Sequence, residues 1–596
     1  MPDKKSIIFS VLMIAAFFMI NHLFFPSKES SPPLSFSPSP QCVALSNNSP
    51  ASKEQGSEEL FYVIENEYQQ LVVSNIHGAV AEINLTVNEE KQGKGVIHQT
   101  QDDLLLQKKC PDRAIFPLHS HLTHQGFIEK GKHGGYYPLL RRHVAPQYYA
   151  LAILDEDPSF PTIYRLNRLE KNLIELEGNT KQGKIIKTYS FPQDLSQTPY
   201  TFNLDITIGG EGRGLSLTTG VPEVELVSGN SNQALKYRMI RNQKGVVEQA
   251  SLPDSVTTVA SIYPDWIANS NGFFEIIIHP QSEMNPGFTT YQIPGAMVPS
   301  RLSFSQNQLY PAEKYPGYQM KLPFRSQGGN YHFRLFAGPL STPILEQIDA
   351  VHQTDYSSTK SFHGWFAFIS EPFAKFLFFL MKIFYSMVHS WGIAIILLTI
   401  ALRVILYPLN AWSIKSTIKM KKLSPKLTQL QERYKKDPKK LQMEVMNLYR
   451  EHGVSPLGGC LPLLIQMPFL IGMFDLLKST FELRGASFIP GWIDDLAAPD
   501  VLFSWSTPIW FIGTSLHLLP ILLGVVMFLQ QRLSLPSKQP KTMSDQQKQQ
   551  QMVGNLMTII FTFLFYNFPS GLNIYWLSSM LLGILQQWWM AKYLKN

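Results

Sequence analysis

The sequence WGIAIILLTIALRVILYPLNAW runs from Trp391 to Trp412 and contains a single charged residue, Arg403. At about 1.5 Å per residue, a helix of this length covers roughly the 30 Å of a bilayer's hydrocarbon core. Arg403 would then lie about 18 Å from one end and about 13 Å from the other, where a guanidinium costs about 2.5 to 3.5 kcal/mol to insert. The stretch predicts a membrane-spanning helix that carries an internal positive charge.

Two interpretations of Arg403 stay open from the residues alone. The side chain could extend to the cytoplasmic headgroups, as long basic side chains do. Alternatively, it faces a water-filled cavity inside a helical bundle that opens towards the cytoplasm. Thr399 and Tyr407 stand four residues before and after it, which predicts a polar stripe on one helical face. Gln466 lies deep in another apolar run and would either join this cavity or form a hydrogen bond between helices.

Further apolar runs predict the rest of the bundle. They are Leu457–Lys478, Pro508–Gln530, Met552–Asn567 and Leu572–Tyr593. Residues 6–25 form one more run after Lys4 and Lys5, and its length of about twenty residues suits an uncleaved anchor better than the shorter core of a signal peptide. The prediction is an α-helical five-helix transmembrane core with an extra N-terminal transmembrane anchor.

The distribution of Lys and Arg predicts the orientation in the membrane. Residues 413–455 contain eleven of them, whereas residues 479–507 contain only Arg484. With six spans, both termini and the basic loops face the cytoplasm, and the large domain before residue 362 faces outward. The formal net charge of +7 is therefore assigned to topology and to attraction for anionic lipids or a docking partner, and it does not indicate a specific nucleic-acid-binding protein.

The part of the chain before residue 362 has a different residue pattern. Short β-prone runs are separated by Gly, Asn and Pro, which predicts a large antiparallel β-sandwich. These runs are 61–64, 71–73, 80–87, 148–154, 184–191, 201–208, 273–278 and 331–336.

The predicted domain organisation follows from these patterns. Its parts are a cytoplasmic tip with the anchor at 1–25, a flexible Ser/Pro-rich linker at 26–58, an outward-facing β-sandwich at 59–350, an amphipathic interfacial helix at 362–388 and the five-helix core at 391–596. Within the core, residues 413–455 predict a cytoplasmic helical hairpin. Its two helices would begin at the capping pairs Ser424-Pro425 and Asp437-Pro438.

The cysteines show no metal-ligand spacing. They are Cys42, Cys110 and Cys460. Cys42 and Cys110 could form a disulfide if both lie outside the cytoplasm, whereas Cys460 stands in an apolar run as a small packing residue. The sequence predicts no metal site and no cofactor.

The sequence contains no set of residues that predicts catalysis. An intramembrane serine protease would need His517 beside Ser515, Ser570 or Ser578, and none of these serines stands in a Gly-x-Ser-x-Gly turn. Phosphate-binding loops are also absent from the sequence. We therefore expect a protein that is not an enzyme.

Several runs resemble a known family, the YidC-type membrane protein insertases (the YidC/Oxa/Alb family). The matching runs are NLYREHGVSPLGGCLPLLIQMP from Asn447 to Pro468, Trp391-Gly392 with Arg403 and Tyr407-Pro408, Glu482-Leu483-Arg484, and Phe568-Pro569-Ser570-Gly571-Leu572. The resemblance covers about two fifths of the chain, from residue 365 onward. The anchor and the β domain are similar in position and texture to the Gram-negative form of the family, which has a large periplasmic β-supersandwich.

The resemblance implies a function and its site. Five core helices would enclose a hydrophilic groove in which Arg403 attracts acidic residues of a substrate. Thr399 and Trp576 match substrate-contact positions of the family. The implied partners are nascent membrane proteins, membrane lipids, the Sec translocon and, through the basic loops, the ribosome. The implied location is the bacterial inner membrane, and the chain's short end after Lys592 leaves any ribosome contact to those loops.

Two other function classes compete with this one. A transporter of a small anionic solute would also use Arg403 as a binding charge, but transporters usually show internal repeats and broken helices, and the sequence shows neither. A carbohydrate-binding β domain on a structural membrane anchor would leave the intramembrane arginine without a use.

Overall fold

The structure, a computed structural model, describes residues 58–88, 95–155, 161–227, 230–307, 309–360, 367–434, 437–453, 461–509, 512–534 and 545–593. By their contacts, these residues divide into two compact units. The β domain holds the described residues up to 360 together with Ser479–Gly485, and the helical unit holds those from 367 to 478 and from 486 to 593. The predicted anchor at 1–25, the linker up to residue 57, Cys42 and Cys460 lie outside the described residues.

The strands of the β domain are short and numerous. They are β1 (Phe61–Glu65), β2 (Gln69–Ser74), β3 (Val80–Thr86), β4 (Ile115–Phe116), β5 (His121–Thr123), β6 (Gly126–Ile128), β7 (Lys132–His133), β8 (Tyr136–Pro138), β9 (Ile153–Leu154), β10 (Tyr164–Glu170), β11 (Leu173–Thr180), β12 (Gly183–Ser190), β13 (Thr201–Glu211), β14 (Ser216–Thr218), β15 (Leu226–Val227), β16 (Asn230–Ser231), β17 (Ala234–Arg241), β18 (Lys244–Ala250), β19 (Thr257–Val259), β20 (Trp266–Ser270), β21 (Phe274–Pro280), β22 (Phe288–Ile293), β23 (Gly317–Pro323) and β24 (Gln327–Pro339). The helical unit adds a hairpin of β25 (Phe503–Ile509) and β26 (Gly513–Leu516).

Three sheets form the body of the β domain. The largest has nine strands in the order β10-β11-β12-β13-β24-β21-β20-β17-β18, and all its pairs are antiparallel. The others have the orders β6-β5-β1-β2-β3-β8 and β19-β22-β23-β14-β9. Strand β12 alternates buried and half-buried residues, while β20 is buried on both faces, so the sheet is covered on both sides at β20.

Side chains join the sheets face to face. Tyr237 of β17 packs on Phe288 of β22 with ring centroids 4.9 Å apart, and Asn269 of β20 donates to the carbonyl of Tyr318 in β23 at 2.8 Å. The prediction of a β-sandwich-rich region is confirmed. One predicted strand is wrong, because residues 148–154 contribute only Ile153–Leu154 to a sheet and Leu151 has a positive φ of 58°.

A buried lysine ties two sheets together. Lys187 of β12 is fully buried and donates to the carbonyls of His77 at 3.0 Å, Gly78 at 3.0 Å and Leu151 at 2.6 Å. Burial lowers the pKa of this amino group well below its ordinary value. Three carbonyl acceptors satisfy its three donors, so the turn between β2 and β3 is fixed on the nine-stranded sheet.

The helices lie mostly in the helical unit. Those of the β domain are α1 (Gln101–Lys109), α2 (Arg301–Ser305) and α3 (Thr342–His352). Those of the helical unit are α4 (Ala367–Val388), α5 (Trp391–Ile405), α6 (Tyr407–Arg433), α7 (Pro438–Glu451), α8 (Leu461–Ser479), α9 (Leu518–Ser534), α10 (Asp545–Leu564) and α11 (Ser570–Tyr593).

Several predicted helix boundaries are corrected. The span predicted from Trp391 breaks at Leu406, because Pro408 lacks an N–H and starts a new helix, α6. Pro425 lies inside α6, so Ser424-Pro425 is not a helix start, whereas Asp437 does cap α7 by accepting from the N–H of Lys440 at 3.1 Å. The span predicted from Pro508 begins in the β25–β26 hairpin, and its helix starts only at Leu518.

No helix of the described residues is both long enough and apolar enough to cross a bilayer by itself. The five predicted spans and the anchor therefore stay predictions.

Cys110 lies in the β domain at the end of α1. It is buried and disulfide-bonded. Cys42 lies outside the described residues, so the pairing of Cys110 with Cys42 stays a prediction.

Candidate functional site

Arg403 stands in the last turn of α5, whose other residues are almost all apolar. Its guanidinium points at α11: Nη2 donates to the carbonyl of Ser579 and, at 3.1 Å, to the Ser579 hydroxyl. Nε is buried and has no hydrogen-bond partner among the described residues. Arg403 is thus held by neutral groups of a facing helix.

A third helix completes this polar cluster. Gln466 of α8 donates from Nε2 to the same Ser579 hydroxyl at 3.3 Å. Arg403 and Gln466, which come from distant parts of the sequence, therefore meet on one serine of α11.

A small, partly open cavity lies beside this cluster. It is lined by Gln466, Met467, Leu470, Tyr575, Trp576 and Ser579. One side of the lining is polar and the other is apolar or aromatic. Hydrogen-bonding groups and apolar surface therefore stand next to each other at this site.

Trp576 forms the aromatic side of the cavity. Its indole packs edge-on against Phe565, with ring centroids 4.5 Å apart, and lies 5.7 Å from Phe561. Phe561 is on α10 and Phe565 follows its last residue, so α10 and the turn after it fix the orientation of the indole. Only 5% of Trp576 is exposed.

Comparison with known proteins identifies the family. A family model described as "60Kd inner membrane protein" matches residues 383–596. The membrane protein insertase YidC of Chlamydia caviae is 45% identical over 581 residues, which cover 93% of this chain and 72% of the relative. The YidC of Treponema denticola is 33% identical, over 70% of this chain and 71% of the relative. The chain belongs to the YidC family of membrane protein insertases.

Two solved structures of YidC proteins also align with this chain. One is an active YidC insertase with its first transmembrane domain resolved, which is 18% identical, covers 89% of this chain and 95% of that chain, and has a TM-score of 0.34. The other is YidC from Thermotoga maritima, at 14% identity, 89% and 99% coverage and a TM-score of 0.28.

Not every site residue predicted for this YidC-family chain reaches the cluster. Thr399 is buried, and its hydroxyl donates to the carbonyl of Ile395 in its own helix at 2.8 Å. Tyr407 begins α6 after the break at Leu406 and is 43% exposed. Arg403 and Tyr407 thus lie on either side of the junction between α5 and α6, and the polar stripe stays a prediction.

Sequence reasoning missed the residues of α11 that receive the arginine. Tyr575, Ser579 and Gly583 are spaced by four and share one helical face. A Cβ placed on Gly583 would lie 2.9 Å from Arg403 Nη2, closer than ordinary contacts allow. A small residue four positions after another is a known signal of close helix packing, so Ser579-x-x-x-Gly583 could have indicated this contact.

The residues considered for serine-protease chemistry have other partners. His517 contacts the backbone carbonyl of Asp500 through Nδ1. The Ser570 hydroxyl donates to the carbonyl of Asp495 at 2.8 Å. These two side chains therefore serve loop structure in the YidC-family core.

Proposed function

We propose that this chain inserts membrane proteins into the bacterial inner membrane and helps them fold, through a hydrophilic groove whose central charge is Arg403. It would act alone or beside the Sec translocon. The observation that carries the proposal is the setting of Arg403. No carboxylate among the described residues lies within ion-pair distance of it, so its charge is available to an acidic group of a substrate.

The exposed faces of the helical unit support contact with lipid. On α11, Leu581, Leu585, Trp588 and Trp589 are between 47% and 61% exposed and recur at helical spacing. On α9, Val525 is 51% exposed. Large apolar faces left open on a protein surface mark contact with a membrane or another protein. The family membership favours the membrane.

The proposed mechanism begins with exchange at Ser579. In the resting site, Arg403 donates to a neutral carbonyl and a hydroxyl. A substrate carboxylate would replace these acceptors, because it adds the attraction of opposite charges and can accept two parallel hydrogen bonds from the guanidinium. The acidic segment would thereby enter the groove without being fully dehydrated. Its affinity for Arg403 must stay moderate so that the segment can move on.

The other groove residues would contact the substrate beside Arg403. Gln466 would share its hydrogen bond between Ser579 and the substrate backbone, and Trp576 with Met467, which is 40% exposed, would contact the substrate's apolar helix. Thr399 would contact a substrate only after its hydroxyl leaves the carbonyl of Ile395. Tyr407, at the start of α6, would contact it at the groove entrance.

The proposed orientation places the basic hairpin of α6 and α7 in the cytoplasm and the β domain in the periplasm. The exposed basic residues of the hairpin include Lys426, Arg433, Lys439 and Lys440. Such a surface attracts both anionic lipid headgroups and ribosomal RNA, since each presents phosphates. Ribosome binding and cooperation with the Sec translocon belong to the proposal on this basis.

Depletion of the chain in its cell tests the proposed function. A small substrate with an acidic periplasmic tail is followed by protease protection of that tail after depletion. The expected result is loss of tail translocation and its recovery when the wild-type chain is supplied. Undiminished translocation after complete depletion would overturn the proposed function.

A further inference from the structure

One short segment of the helical core's sequence folds with the β domain. Helix α8 ends at Ser479, and the chain rejoins the helical unit at Ala486. Between them, Thr480–Gly485, here called the clasp segment, forms part of the β domain. Phe481, Leu483 and Arg484 of this segment are at most 5% exposed. A loop segment buried to this extent occupies a defined position in the β domain, here called its seat.

Arg484 makes the strongest contact in this seat. Its Nε and Nη2 donate to the two carboxylate oxygens of Glu225 at 2.8 and 2.9 Å, which is a bidentate pair. Nη1 donates to the carbonyl of His98 at 3.0 Å. The guanidinium also lies 5.0 Å from the ring centres of Tyr137 and Phe274. All three nitrogens are thus bound by the β domain.

Further charges complete a buried network around Glu225. Arg301 donates to Glu225 at 2.6 Å and lies 3.3 Å from Asp103, while the Tyr137 hydroxyl donates to Glu225 at 2.9 Å. Burial would raise the pKa of Glu225, but Arg484 and Arg301 outweigh it and lower this pKa to about 2. Without Arg484, the network would lose the only cation that the clasp segment contributes.

Two other residues of the clasp segment fill apolar or helix-capping positions. Phe481 packs edge-on against Phe274 with ring centroids 5.5 Å apart. Glu482 accepts from the N–H of Thr342, the first residue of α3, at 3.1 Å and lies 3.9 Å from Lys360. A carboxylate at a helix N-terminus is favourable because the helix dipole is positive there.

We propose that the clasp segment is the site by which the β domain holds the loop between α8 and α9, with Arg484 on Glu225 as the anchor, and that insertion requires this hold. The claim that insertion requires this hold rests on the proposed function. The claim that the β domain holds the loop does not depend on it. Arg484 acts here as a positioning residue and touches no substrate. The loop it holds joins α8, which carries Gln466, to α9.

Amide hydrogen exchange in the full-length protein, purified in lipid nanodiscs, tests the hold directly. In Arg484→Ala, exchange across residues 480–485 should rise about a hundredfold, because Glu225 and Asp103 lose a buried cation. Arg168→Ala is the matched control, since Arg168 is an exposed arginine of the same domain that pairs only with Glu170. Unchanged exchange in Arg484→Ala would overturn the hold.

An engineered cross-link separates the hold from a general loss of folding. A Cβ placed on Gly485 would lie 3.3 Å from the Cβ of His98, close to the separation that a disulfide spans. The pair His98→Cys and Gly485→Cys, introduced into Arg484→Ala, replaces the anchor by a covalent bond. Gly485 has a positive φ of 67°, so Gly485→Cys alone is the control for backbone strain. If that single variant folds normally, failure of the cross-link to form in the chain that keeps Arg484 would contradict the seat.

The insertion assay then tests the functional part. Arg484→Ala should lower translocation of the acidic tail at least about tenfold, and the oxidised cross-link should restore it, while the reduced form does not. A formed cross-link without recovery would overturn the requirement for insertion. If depletion of the chain has no effect on translocation, the proposed function fails, yet the exchange result for the hold stands by itself.

Discussion

At the residue scale, the central feature is a charge that is held by neutral groups. The sequence alone predicted Arg403, because one arginine in a long apolar run is visible without a structure. It could not predict the partner, since the Ser579 carbonyl is a backbone group whose position depends on how α5 and α11 pack. Gln466 was recognised as a deep polar residue, but its link to Arg403 through Ser579 is a tertiary contact.

Substitution of Gly583 should weaken the contact between Arg403 and Ser579 without changing any charged residue. In Gly583→Ala the new methyl would lie 2.9 Å from Arg403 Nη2, so the guanidinium must move away from Ser579. Loss of one such hydrogen bond corresponds to about a two- to tenfold effect, and we expect the rate of tail translocation to fall by that factor. Gly329→Ala is the control, because a Cβ there meets nothing within 4 Å. Equal rates for both variants would contradict the contact.

The Glu225 carboxylate should make the β domain sensitive to acid. Its pKa in the folded protein is about 2, below the ordinary carboxyl value of 4.5, because Arg484 and Arg301 outweigh the effect of burial. A lowered carboxyl pKa stabilises the fold fully above pH 4.5, and this stabilisation is lost as the pH falls towards 2. The other ionisable groups around Glu225 and its two arginines are Tyr137, Asp102 and Asp103.

Pulse proteolysis of the β domain in the full chain measures this pH dependence. Between pH 4.5 and 2, the free energy of unfolding of the wild type should fall more steeply than that of Glu225→Gln, which binds no proton there. Glu170→Gln, at an exposed ion pair, should keep the wild-type slope. Identical slopes for wild type and Glu225→Gln would show that Glu225 titrates normally.

At the element scale, the start of α9 shows why one boundary was predicted wrongly. The apolar run from Pro508 looks continuous in sequence, but its first part forms the β25–β26 hairpin. Asp500 then accepts from the N–H groups of Leu518 and Leu519 at 2.7 and 3.0 Å and so caps the helix from eighteen or nineteen residues away. Rules for helix starts consider adjacent residues, and this cap is distant. The cap of α7 by Asp437 is adjacent, and it was predicted correctly.

Removal of the distant cap should loosen α9 locally. In Asp500→Ala, two N–H groups and the indole N–H of Trp492 lose their acceptor. A lost cap costs about 1 to 2 kcal/mol, so amide exchange in the first turn of α9 should quicken about five- to thirtyfold. Asp500→Asn keeps an acceptor oxygen and should change exchange much less. Equal exchange in both variants would mean that the carboxylate does not cap the helix.

At the scale of the whole molecule, the sequence pattern predicted a β-rich domain and a helical bundle. It did not predict that the loop around Arg484 belongs to the β domain. Alternating short strands predicted the β-rich domain, and apolar runs predicted a helical bundle. The sequence around Arg484 served to orient the chain in the membrane and as a run that matches the family, but a single positive charge among acidic residues carries no sign of burial. The contact with Glu225 joins residues 259 positions apart, and local pattern cannot register such a contact.

The outer faces of the helical unit should meet lipid. A nitroxide label at Leu585→Cys, which is 59% exposed on α11, should be relaxed strongly by oxygen and weakly by a water-soluble nickel reagent after reconstitution in vesicles. A label at Arg168→Cys on the β domain should show the opposite preference. Stronger relaxation of the Leu585 label by the nickel reagent would contradict a lipid-facing α11.

The most direct test of the central claim compares two substrates that differ only in tail charge. The two small membrane proteins are identical except for acidic residues in one periplasmic tail and their amides in the other. With Arg403→Ala as the sole copy of the chain, translocation of the acidic tail should fall at least about tenfold, because a charge-assisted contact is lost, while the neutral tail is unaffected. Arg403→Lys should retain most of the difference. Equal translocation of the acidic tail by wild type and Arg403→Ala would contradict the role of Arg403.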